Sequence, residues 1–338
     1  MDRGRKRIAF LLPSLKFGGA ERVALSLAAA FRDRDYDVEF WLMVEVGEFL
    51  AEAKNIGIPV INLCCDRTFK LPLRLVSAIA IRKPDIIISS FWKLNLCAAL
   101  VKLAKPHVNV VLWEHSFPSR SSHGPKWVFG PCASVLYRFS NCVVAVSDGV
   151  AEDIRNLTVG LQKKIVVVSN AIPTPANKKG KLDRSDVAEY EHIVKNRKIV
   201  VYVGRLEPQK DPELLIDAIG LIPKDLNVHA LIVGDGSLRD KLAEKARTLL
   251  VDDRISFLGF QRDPYTVMQQ ADLLVLTSKS EGFGNVIVEA LHCGLRVVST
   301  DCSPSIRYIL GDKLYGTIVP DGDRYRLALA IETELLSN

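Results

Sequence analysis

Short apolar runs alternate with amphipathic segments along almost the whole chain. Segments such as GAERVALSLAAAFRD carry apolar residues at i, i+3 and i+4, the spacing of an amphipathic helix. Continuously apolar strands between such helices are typical of parallel strands buried on both faces, so the pattern predicts a doubly wound α/β sheet. In the first half the predicted strands are RIAFLLP, DVEFWLM, IPVINL, DIIIS, VNVVLW, CVVAVS and KIVVVS.

The alternation is interrupted by the polar segment NAIPTPANKKGKLDRSDVAEYEHIVKNRK, which is rich in Pro, Gly and charge. We therefore predict a Rossmann-like domain over residues 1–170, an interdomain linker over 171–197 and a second Rossmann-like domain over 198–338. Because open α/β sheets bind ligands at the carboxyl ends of their strands, we expect both domains to face a central cleft. The predicted strands of the second domain are IVVYVGR, VHALIVGDG, RISFLGF, DLLVLTS, RVVST and GTIVP.

Composition narrows the class of protein. The 338 residues are 48% hydrophobic and 25% charged, which is ordinary for a globular chain and enough for two buried cores. The sequence shows no signal-peptide pattern and no run of about 18 apolar residues, so we expect no membrane span. Seven cysteines without CxxC spacing favour a reduced, cytoplasmic compartment over a disulfide framework or a zinc site.

Charge is distributed unequally between the two halves. Residues 1–170 hold 23 Lys/Arg against 15 Asp/Glu, a net charge of +8, whereas the remainder holds 22 against 24. A basic half favours an anionic partner such as phosphate or lipid headgroups, and a merely soluble basic face is the equally weighted alternative. Apolar and cationic residues mix in RTFKLPLRLVSAIAIRK, FWKLNLCAALVKLAK and GPKWVFGPCASVLYRF, the last with Trp127 and Phe129. This mixture suits an anionic membrane surface, but helices that only cover a sheet show it too.

Glycines and cations lie at predicted strand-to-helix turns, where backbone amides and helix N-termini favour anions. Arg205 and Lys210 follow the first strand of the second domain and suit a diphosphate, although surface cations are more often simply solvated. The absence of a GxGxxG pattern argues against a dinucleotide site. The glycines and apolar residues at the other turns are Gly18, Gly19, Gly234, Gly236, Leu238, Gly259 and Phe260.

The segment SKSEGFGNVIVEALHCG places two glutamates eight positions apart. Glu281 falls in the loop after a predicted strand, and a helix is predicted to begin near Gly284–Asn285, with its positive dipole end toward an anion. Glu289, about one turn into that helix, can accept two hydrogen bonds from a vicinal diol such as ribose. The alternatives are two glutamates on the helix surface or a general acid/base pair.

This segment resembles the E-x7-E motif of GT-B glycosyltransferases of family 4, which are retaining enzymes that use nucleotide sugars. GGAERV is similar to the family's glycine-rich acceptor-side loop, WEHS to its histidine loop, VSDGV and VSNAI to its interdomain strand ends, and GRLEPQK to its Arg/Lys diphosphate pair. The motifs stand in the family's order along nearly the whole chain. The resemblance implies a hexosyltransferase of GT-B fold, in which residues 1–170 form the acceptor-binding domain and residues 198–338 the nucleotide-sugar-binding domain.

The resemblance also implies roles for individual residues. Arg205 and Lys210 would stabilise the leaving nucleoside diphosphate, the main catalytic contribution, so no metal and no cofactor is expected. Glu281 would hold hydroxyls of the donor sugar, His115 would support an oxocarbenium-like transition state, and Glu289 would bind ribose. The other implied substrate-binding residues are Gly18, Gly19, Gly234, Leu238, Phe260, Gly282, Phe283, Gly284, Asn285, Val286 and Ile287, with Phe260 and Leu238 flanking the base.

The implied reaction moves a hexose or N-acetylhexosamine from a nucleotide sugar to a glycan. We expect UDP as the nucleotide, with GDP as the alternative, and a lipid-linked or cell-surface polysaccharide precursor as the acceptor. A hydrolytic dyad is disfavoured because Glu289 is assigned to ribose, which leaves one acid near the sugar. A nucleotide-sugar epimerase of the same fold and a non-catalytic nucleotide-sugar-binding module are the alternatives. We expect a cytoplasmic protein, peripheral on the cytoplasmic membrane face, with no nucleic-acid partner.

Overall fold

The computed structural model describes residues 5–120, 126–174, 194–311 and 314–337. The chain divides into two compact units, Met1–Ile172 and Pro173–Asn338. Most of the predicted linker, residues 175–193, lies outside the described residues.

The first unit is built on a parallel sheet of seven strands in the order β3-β2-β1-β4-β5-β6-β7. Each strand coincides with one of the apolar runs predicted from the sequence. The strands are β1 (Arg7–Leu12), β2 (Asp37–Leu42), β3 (Val60–Asn62), β4 (Ile86–Ser90), β5 (Asn109–Glu114), β6 (Cys142–Ala145) and β7 (Ile165–Val167). The helices in its described part are α1 (Gly19–Arg32), α2 (Leu50–Asn55), α3 (Leu71–Arg82), α4 (Trp92–Ala104), α5 (Lys126–Leu136) and α6 (Asp148–Leu157), with a 3-10 helix at Tyr137–Phe139.

The second unit repeats this plan with a parallel sheet of six strands in the order β10-β9-β8-β11-β12-β13. The predicted strands are again confirmed. They are β8 (Lys198–Val203), β9 (Val228–Val233), β10 (Ile255–Gly259), β11 (Leu273–Leu276), β12 (Arg296–Thr300) and β13 (Gly316–Val319). The helices in its described part are α7 (Pro212–Leu221), α8 (Arg239–Thr248), α9 (Tyr265–Met268), α10 (Asn285–His292), α11 (Pro304–Leu310) and α12 (Arg324–Leu336).

The strands of the second sheet are buried on both faces, as their continuous apolar runs predict. Along β8, Val200 and Tyr202 belong to one hydrophobic cluster, whereas Ile199 and Val201 belong to the other. Successive side chains of a strand point to opposite faces, so the two clusters lie on opposite sides of the sheet. No helix in the described ranges has the length and apolar character needed to cross a bilayer.

Both sheets have a topological switch point, where the strand order reverses. It lies between β1 and β4 in the first unit and between β8 and β11 in the second. Connections on the two sides of a switch point leave in opposite directions and open a crevice at the carboxyl ends of the strands. In the first unit the crevice is bordered by the β1–α1 and β4–α4 connections, and in the second by the β8–α7 and β11–α10 connections.

The helices of the first unit differ in what they expose. On α3 and the turn before it, Phe69, Leu73 and Ile81 are 71%, 76% and 76% exposed. Phe129 is 3% exposed and packs edge-on against the rings of Trp92 and Tyr137. Of the two alternatives for this segment, Phe129 fits a helix that covers the sheet and not a lipid-facing surface, because that ring is packed in the core. The side chain of Trp127 lies outside the described residues.

Candidate active site

Lys210 and Glu281 meet at the switch point of the second sheet. Lys210 Nζ lies 2.5 Å from Glu281 Oε1, and Ser278 Oγ donates to the same oxygen at 2.6 Å. The Lys210 and Glu281 side chains are only 21% and 12% exposed. An ion pair this far from solvent incurs a large desolvation cost, so its presence is better explained by a site than by stability.

Further hydrogen bonds join the two connections that carry this pair. Gln209 O accepts from Lys279 N at 2.9 Å, and Gln209 Nε2 donates to Ser280 O at 3.0 Å. Thr277 Oγ1 donates to Lys210 O at 3.0 Å. The β8–α7 and β11–α10 connections therefore form one hydrogen-bonded structure that fixes the position of the ion pair.

Arg205 is an exposed cation on the β8–α7 connection. It makes no salt bridge to any residue that the structure describes, and its carbonyl accepts a hydrogen bond from Tyr202 Oη at 3.2 Å. Burial, together with the nearby carboxylates of Glu281 and Asp211, raises the pKa of the Tyr202 phenol above its ordinary value. Tyr202 is therefore a neutral donor that anchors the backbone at Arg205, and the guanidinium faces solvent, where an anion can reach it.

Gly234 and Gly236 have a packing explanation. Gly234 has φ of +134°, and a Cβ there would lie 1.9 Å from Gly204 O; a Cβ on Gly236 would lie 2.5 Å from Leu206 O. The carbonyl of Leu206 accepts from Leu238 N at 3.0 Å. The backbones after β8 and β9 touch at these glycines, so close backbone packing accounts for both without reference to a phosphate.

Leu238 and Phe260, the residues predicted to flank a base, have different surroundings. Leu238 immediately precedes α8 and packs, partly buried, against the core of the second unit. Phe260 follows Gly259, whose φ is +66°, and the Phe260 residue is 38% exposed. Phe260 thus offers an exposed ring, whereas part of Leu238 is already used in the core.

The helix predicted near Gly284–Asn285 begins there: α10 spans Asn285–His292, and Gly284 caps it with φ of +97°. A Cβ on Gly284 would lie 2.8 Å from Ile306 Cδ1, the movable end of a side chain, so it is the positive φ that favours glycine here. Ile287 N donates to Gly284 O at 3.0 Å. That amide is already satisfied within the turn.

The two glutamates of the E-x7-E segment are not surface charges. The Glu281 side chain is 12% exposed and Glu289, inside α10, is 8% exposed. The interpretation of both as solvated helix residues is therefore wrong. Phe283 is also buried, and Gly282 lies in the same buried part of the loop, so the loop itself is packed rather than open.

In the first unit, Gly18 and Gly19 lie where the sequence predicts, at the start of α1. Gly18 precedes the helix with extended backbone, φ −171°, which any residue adopts. A Cβ there would lie 2.0 Å from Glu21 Oε2. The absent side chain therefore leaves space for a carboxylate in the first turn of α1, where the helix dipole stabilises it.

His115 follows β5 and is surrounded by aromatic and polar groups. Its Nε2 lies 3.3 Å from Ser90 Oγ, and its ring centroid is 4.3 Å from that of Trp113. Burial lowers the pKa of His115 to about 3, so the imidazole is neutral at neutral pH. Its Nδ1 has no hydrogen-bond partner within the described part of the chain. His115 can offer a lone pair or its backbone carbonyl to a reacting sugar, but not a positive charge.

Sequence reasoning missed the groups that support these residues. Ser278, next to Glu281, belongs to a polar stretch without a pattern of its own. Behind His115, the carboxyl of Glu114 is 2% exposed and accepts hydrogen bonds from Asn95 and Tyr137. Burial raises the pKa of Glu114 to about 7, although these two hydrogen bonds oppose the shift. The sequence signal for this group was that Glu114 is an acidic residue at the end of an otherwise apolar strand.

Two family models match the chain, one for each half. The model of glycosyl transferases group 1 matches residues 183–338, and that of Glycosyltransferase Family 4 matches residues 17–175. The lipopolysaccharide 1,6-galactosyltransferase of Escherichia coli K12 is 30% identical over 330 residues, which are 94% of this chain and 86% of that protein. The chain belongs to the glycosyltransferase group 1 family. The predicted enzyme class is thereby confirmed: the protein is a glycosyltransferase, and within that class a hexosyltransferase.

Two further similarities bear on fold and substrate. The crystal structure of Anabaena HepE in complex with UDP-glucose matches this glycosyltransferase with a TM-score of 0.84 and 26% identity, over 97% of this chain and 89% of HepE. The two parallel sheets and this match confirm the predicted GT-B fold class. A Campylobacter jejuni relative, an N-acetylgalactosaminyltransferase named for a diphospho-undecaprenol-linked substrate, is 27% identical over 98% of this chain and 90% of its own length.

Proposed function

We propose that this glycosyltransferase moves a hexose or N-acetylhexosamine from a UDP-sugar to the glycan of a lipid-linked or cell-surface polysaccharide precursor, with retention at the anomeric carbon. The observation that carries the proposal is the arrangement of Arg205, Lys210 and Glu281 at one switch point, with an exposed cation beside a partly buried ion pair. Cations suit a diphosphate, and a fixed carboxylate suits sugar hydroxyls.

The chemistry follows from the charges of these side chains. The guanidinium of Arg205 and the ammonium of Lys210 neutralise the negative charge that develops on the leaving UDP, so no metal is needed for that task. Glu281, oriented by Lys210 and Ser278, accepts hydrogen bonds from the donor sugar. Glu289 on α10 accepts from the ribose hydroxyls. His115 contributes a neutral dipole or its carbonyl oxygen to the oxocarbenium-like transition state.

The comparisons support the donor and the acceptor class. HepE was crystallised with UDP-glucose. The names of the E. coli and C. jejuni relatives give a lipopolysaccharide and a diphospho-undecaprenol-linked glycan, respectively, so both act on glycans attached to lipid. A lipid-linked acceptor requires the enzyme to work at a membrane surface.

A peripheral membrane contact through α3 is part of the proposal. The exposed Phe69, Leu73 and Ile81 lie on or just before this helix, together with the cations Lys70 and Arg74. Apolar side chains that insert between lipids and cations that attract anionic headgroups are the two components of interfacial binding. We propose that the enzyme is peripheral on the cytoplasmic face of the membrane.

Donor binding is tested by thermal unfolding of the full chain in the presence of UDP, GDP and a panel of UDP-sugars. A ligand that binds only the native state at 100 times its Kd stabilises it by about 2.7 kcal/mol, so UDP and one UDP-sugar should raise the Tm. Arg205→Ala should abolish the shift, whereas Arg247→Ala, at an exposed cation paired with Glu244, should leave it unchanged.

Transfer is tested by mass spectrometry with the stabilising UDP-sugar and a polyprenyl-diphosphate glycan. The expected product is the acceptor enlarged by one sugar, with an α-linkage if the donor is an α-UDP-sugar. A protein that binds UDP-sugars without turnover on any acceptor would be a binding module, and a donor sugar converted to its epimer would indicate an epimerase. Either result would contradict the proposal.

A further inference from the structure

A carboxylate is buried directly beside His115 in the first unit. Glu114, the last residue of β5, is 2% exposed, and its Oε1 accepts hydrogen bonds from Asn95 Nδ2 at 2.9 Å and from the Tyr137 hydroxyl. Asn95 on α4 and Tyr137 in the 3-10 helix after α5 are both fully buried. A carboxylate so far from water is unfavourable even when paired, and an apolar side chain of similar volume would fill the space at lower cost.

The hydrogen bonds of Asn95 extend from this carboxylate to the backbone at two strand ends. Asn95 Nδ2 also donates to Trp113 O at 3.2 Å, and Phe91 N donates to that same carbonyl at 3.3 Å. Asn95 N donates to Phe91 O at 2.9 Å. Asn95 therefore holds the end of β5 through its side chain and Phe91, just after β4, through its backbone amide, immediately before His115.

Phe91, at the start of α4, is the strained residue of this arrangement. Its φ of 73° with ψ of 133° is a conformation that residues with a Cβ rarely adopt, and for a bulky side chain it is an outlier. Such strain persists where surrounding interactions over-determine it, and it concentrates at functional sites. Here the Phe91 N–H and C=O are both held, by Trp113 and Asn95, and the ring centroid lies 5.8 Å from that of His115.

We propose that Glu114, acting through Asn95, is a positioning residue that holds Phe91 and the strand end before His115 in the geometry that receives the acceptor. This inference rests on the proposed transfer reaction. It assigns the buried carboxylate a task that stability alone does not explain, because Glu114 fixes a strained aromatic residue at the carboxyl edge of the first sheet. Glu114 itself touches neither substrate.

The test compares Glu114→Ala with Glu114→Gln in the full-length enzyme, with the UDP-sugar and acceptor that the wild type uses. Because a displacement of about 1 Å can lower turnover by about 100-fold, Glu114→Ala should lower kcat or raise the acceptor KM by at least about tenfold. The donor KM should stay within about twofold, since this network holds only first-unit groups. Glu114→Gln keeps an oxygen that accepts the same two hydrogen bonds, so it should restore most of the lost activity.

If the Glu114→Ala variant does not fold, Phe91→Gly tests the same inference. Glycine adopts positive φ without strain, so this variant should keep or raise the Tm and still raise the acceptor KM. Lys83→Gly is the matched control. Lys83 is exposed, has φ of 51° at the end of α3, and its replacement should raise the Tm without changing either KM.

Two results separate this inference from the proposed function. If the wild-type enzyme transfers sugar normally, and a folded Glu114→Ala variant or the Phe91→Gly variant has unchanged kinetics, the positioning role alone is overturned. A wild-type enzyme that neither gains Tm with UDP nor transfers sugar overturns the proposed function, and the positioning role with it. An acceptor-specific defect that Glu114→Gln repairs supports both.

Discussion

At the scale of single residues, Lys210 and Glu281 are the pair on which the proposed chemistry depends. They are 71 positions apart in the sequence, and their side chains meet at 2.5 Å. The sequence patterns assigned one to the diphosphate and the other to the sugar, and the structure adds that each orients the other. Removing one partner leaves the other charge largely buried and uncompensated, so a variant affects more than the contact it deletes.

Lys210→Ala should lower kcat by about 100-fold to 1000-fold, because it removes one positive charge that stabilises the leaving diphosphate. The Tm should fall as well, because Glu281 is left largely buried without its counter-charge and keeps only its hydrogen bond from Ser278. Steady-state kinetics and thermal unfolding measure the two effects. The control is Lys241→Ala. The Lys241 side chain is 64% exposed and pairs with Glu213. Near-wild-type activity in both variants would refute the assignment of Lys210 to the diphosphate.

At the scale of elements, the site depends on connections that touch through their backbones. The β8–α7 and β9–α8 connections meet at Gly234 and Gly236, and the β8–α7 and β11–α10 connections are joined by Gln209 and Thr277. These contacts leave no space for a Cβ at either glycine. The loops of the second sheet thus behave as packed parts of the domain, although two of them carry the proposed substrate-binding residues.

Gly234→Ala should lower the free energy of unfolding by about 1–3 kcal/mol, because a methyl group would overlap Gly204 O in a backbone with positive φ. Gly220→Ala is the matched control: Gly220 lies in α7, and a Cβ there would come no nearer than 3.9 Å to a side-chain atom. That control should gain about 0.5–1 kcal/mol from helix propensity. Chemical denaturation measures both, and a neutral Gly234→Ala would show that the two connections are not in tight contact.

The strands could be predicted because each is marked by a local apolar run. The geometry of the site could not, because it depends on residues far apart in the sequence. Every predicted strand is present, since strands buried on both faces must be continuously apolar. No local pattern indicates that Asn95 and Tyr137 reach Glu114 across 19 and 23 positions, or that Phe91 adopts positive φ. The sequence left two alternatives open for Phe129 for a related reason: an amphipathic segment does not reveal whether a given aromatic residue faces a neighbouring helix or solvent.

At the scale of the whole molecule, the uneven charge suggests how the enzyme finds its acceptor. The net charge of +8 over residues 1–170, against −2 over the rest, attracts an anionic surface toward the first unit. The large exposed side chains Phe69, Leu73 and Ile81 belong to that unit too. In the proposed membrane contact, charge attracts the protein to the surface, and the apolar side chains determine how strongly it binds.

Full-length enzyme should therefore sediment with vesicles of phosphatidylcholine and phosphatidylglycerol at low salt. Binding should weaken as salt rises, because charges are screened beyond about 10 Å at 0.1 M, and it should be lost on pure phosphatidylcholine. Leu73→Ser combined with Ile81→Ser should lower the partition coefficient by at least about tenfold, since full burial of each side chain contributes about 1.5–3 kcal/mol.

Tyr308→Ser provides the matched control for this prediction. Tyr308 is 81% exposed on α11, so its loss removes a comparable exposed side chain from the second unit and leaves α3 unchanged. The control should bind vesicles like the wild type. The control and the double variant should both show the same Tm increase with UDP as the wild type. Equal binding by the double variant and the wild type would exclude α3 as the contact. If the enzyme does not bind anionic vesicles at low salt, the acceptor must reach it without a membrane contact made by the enzyme.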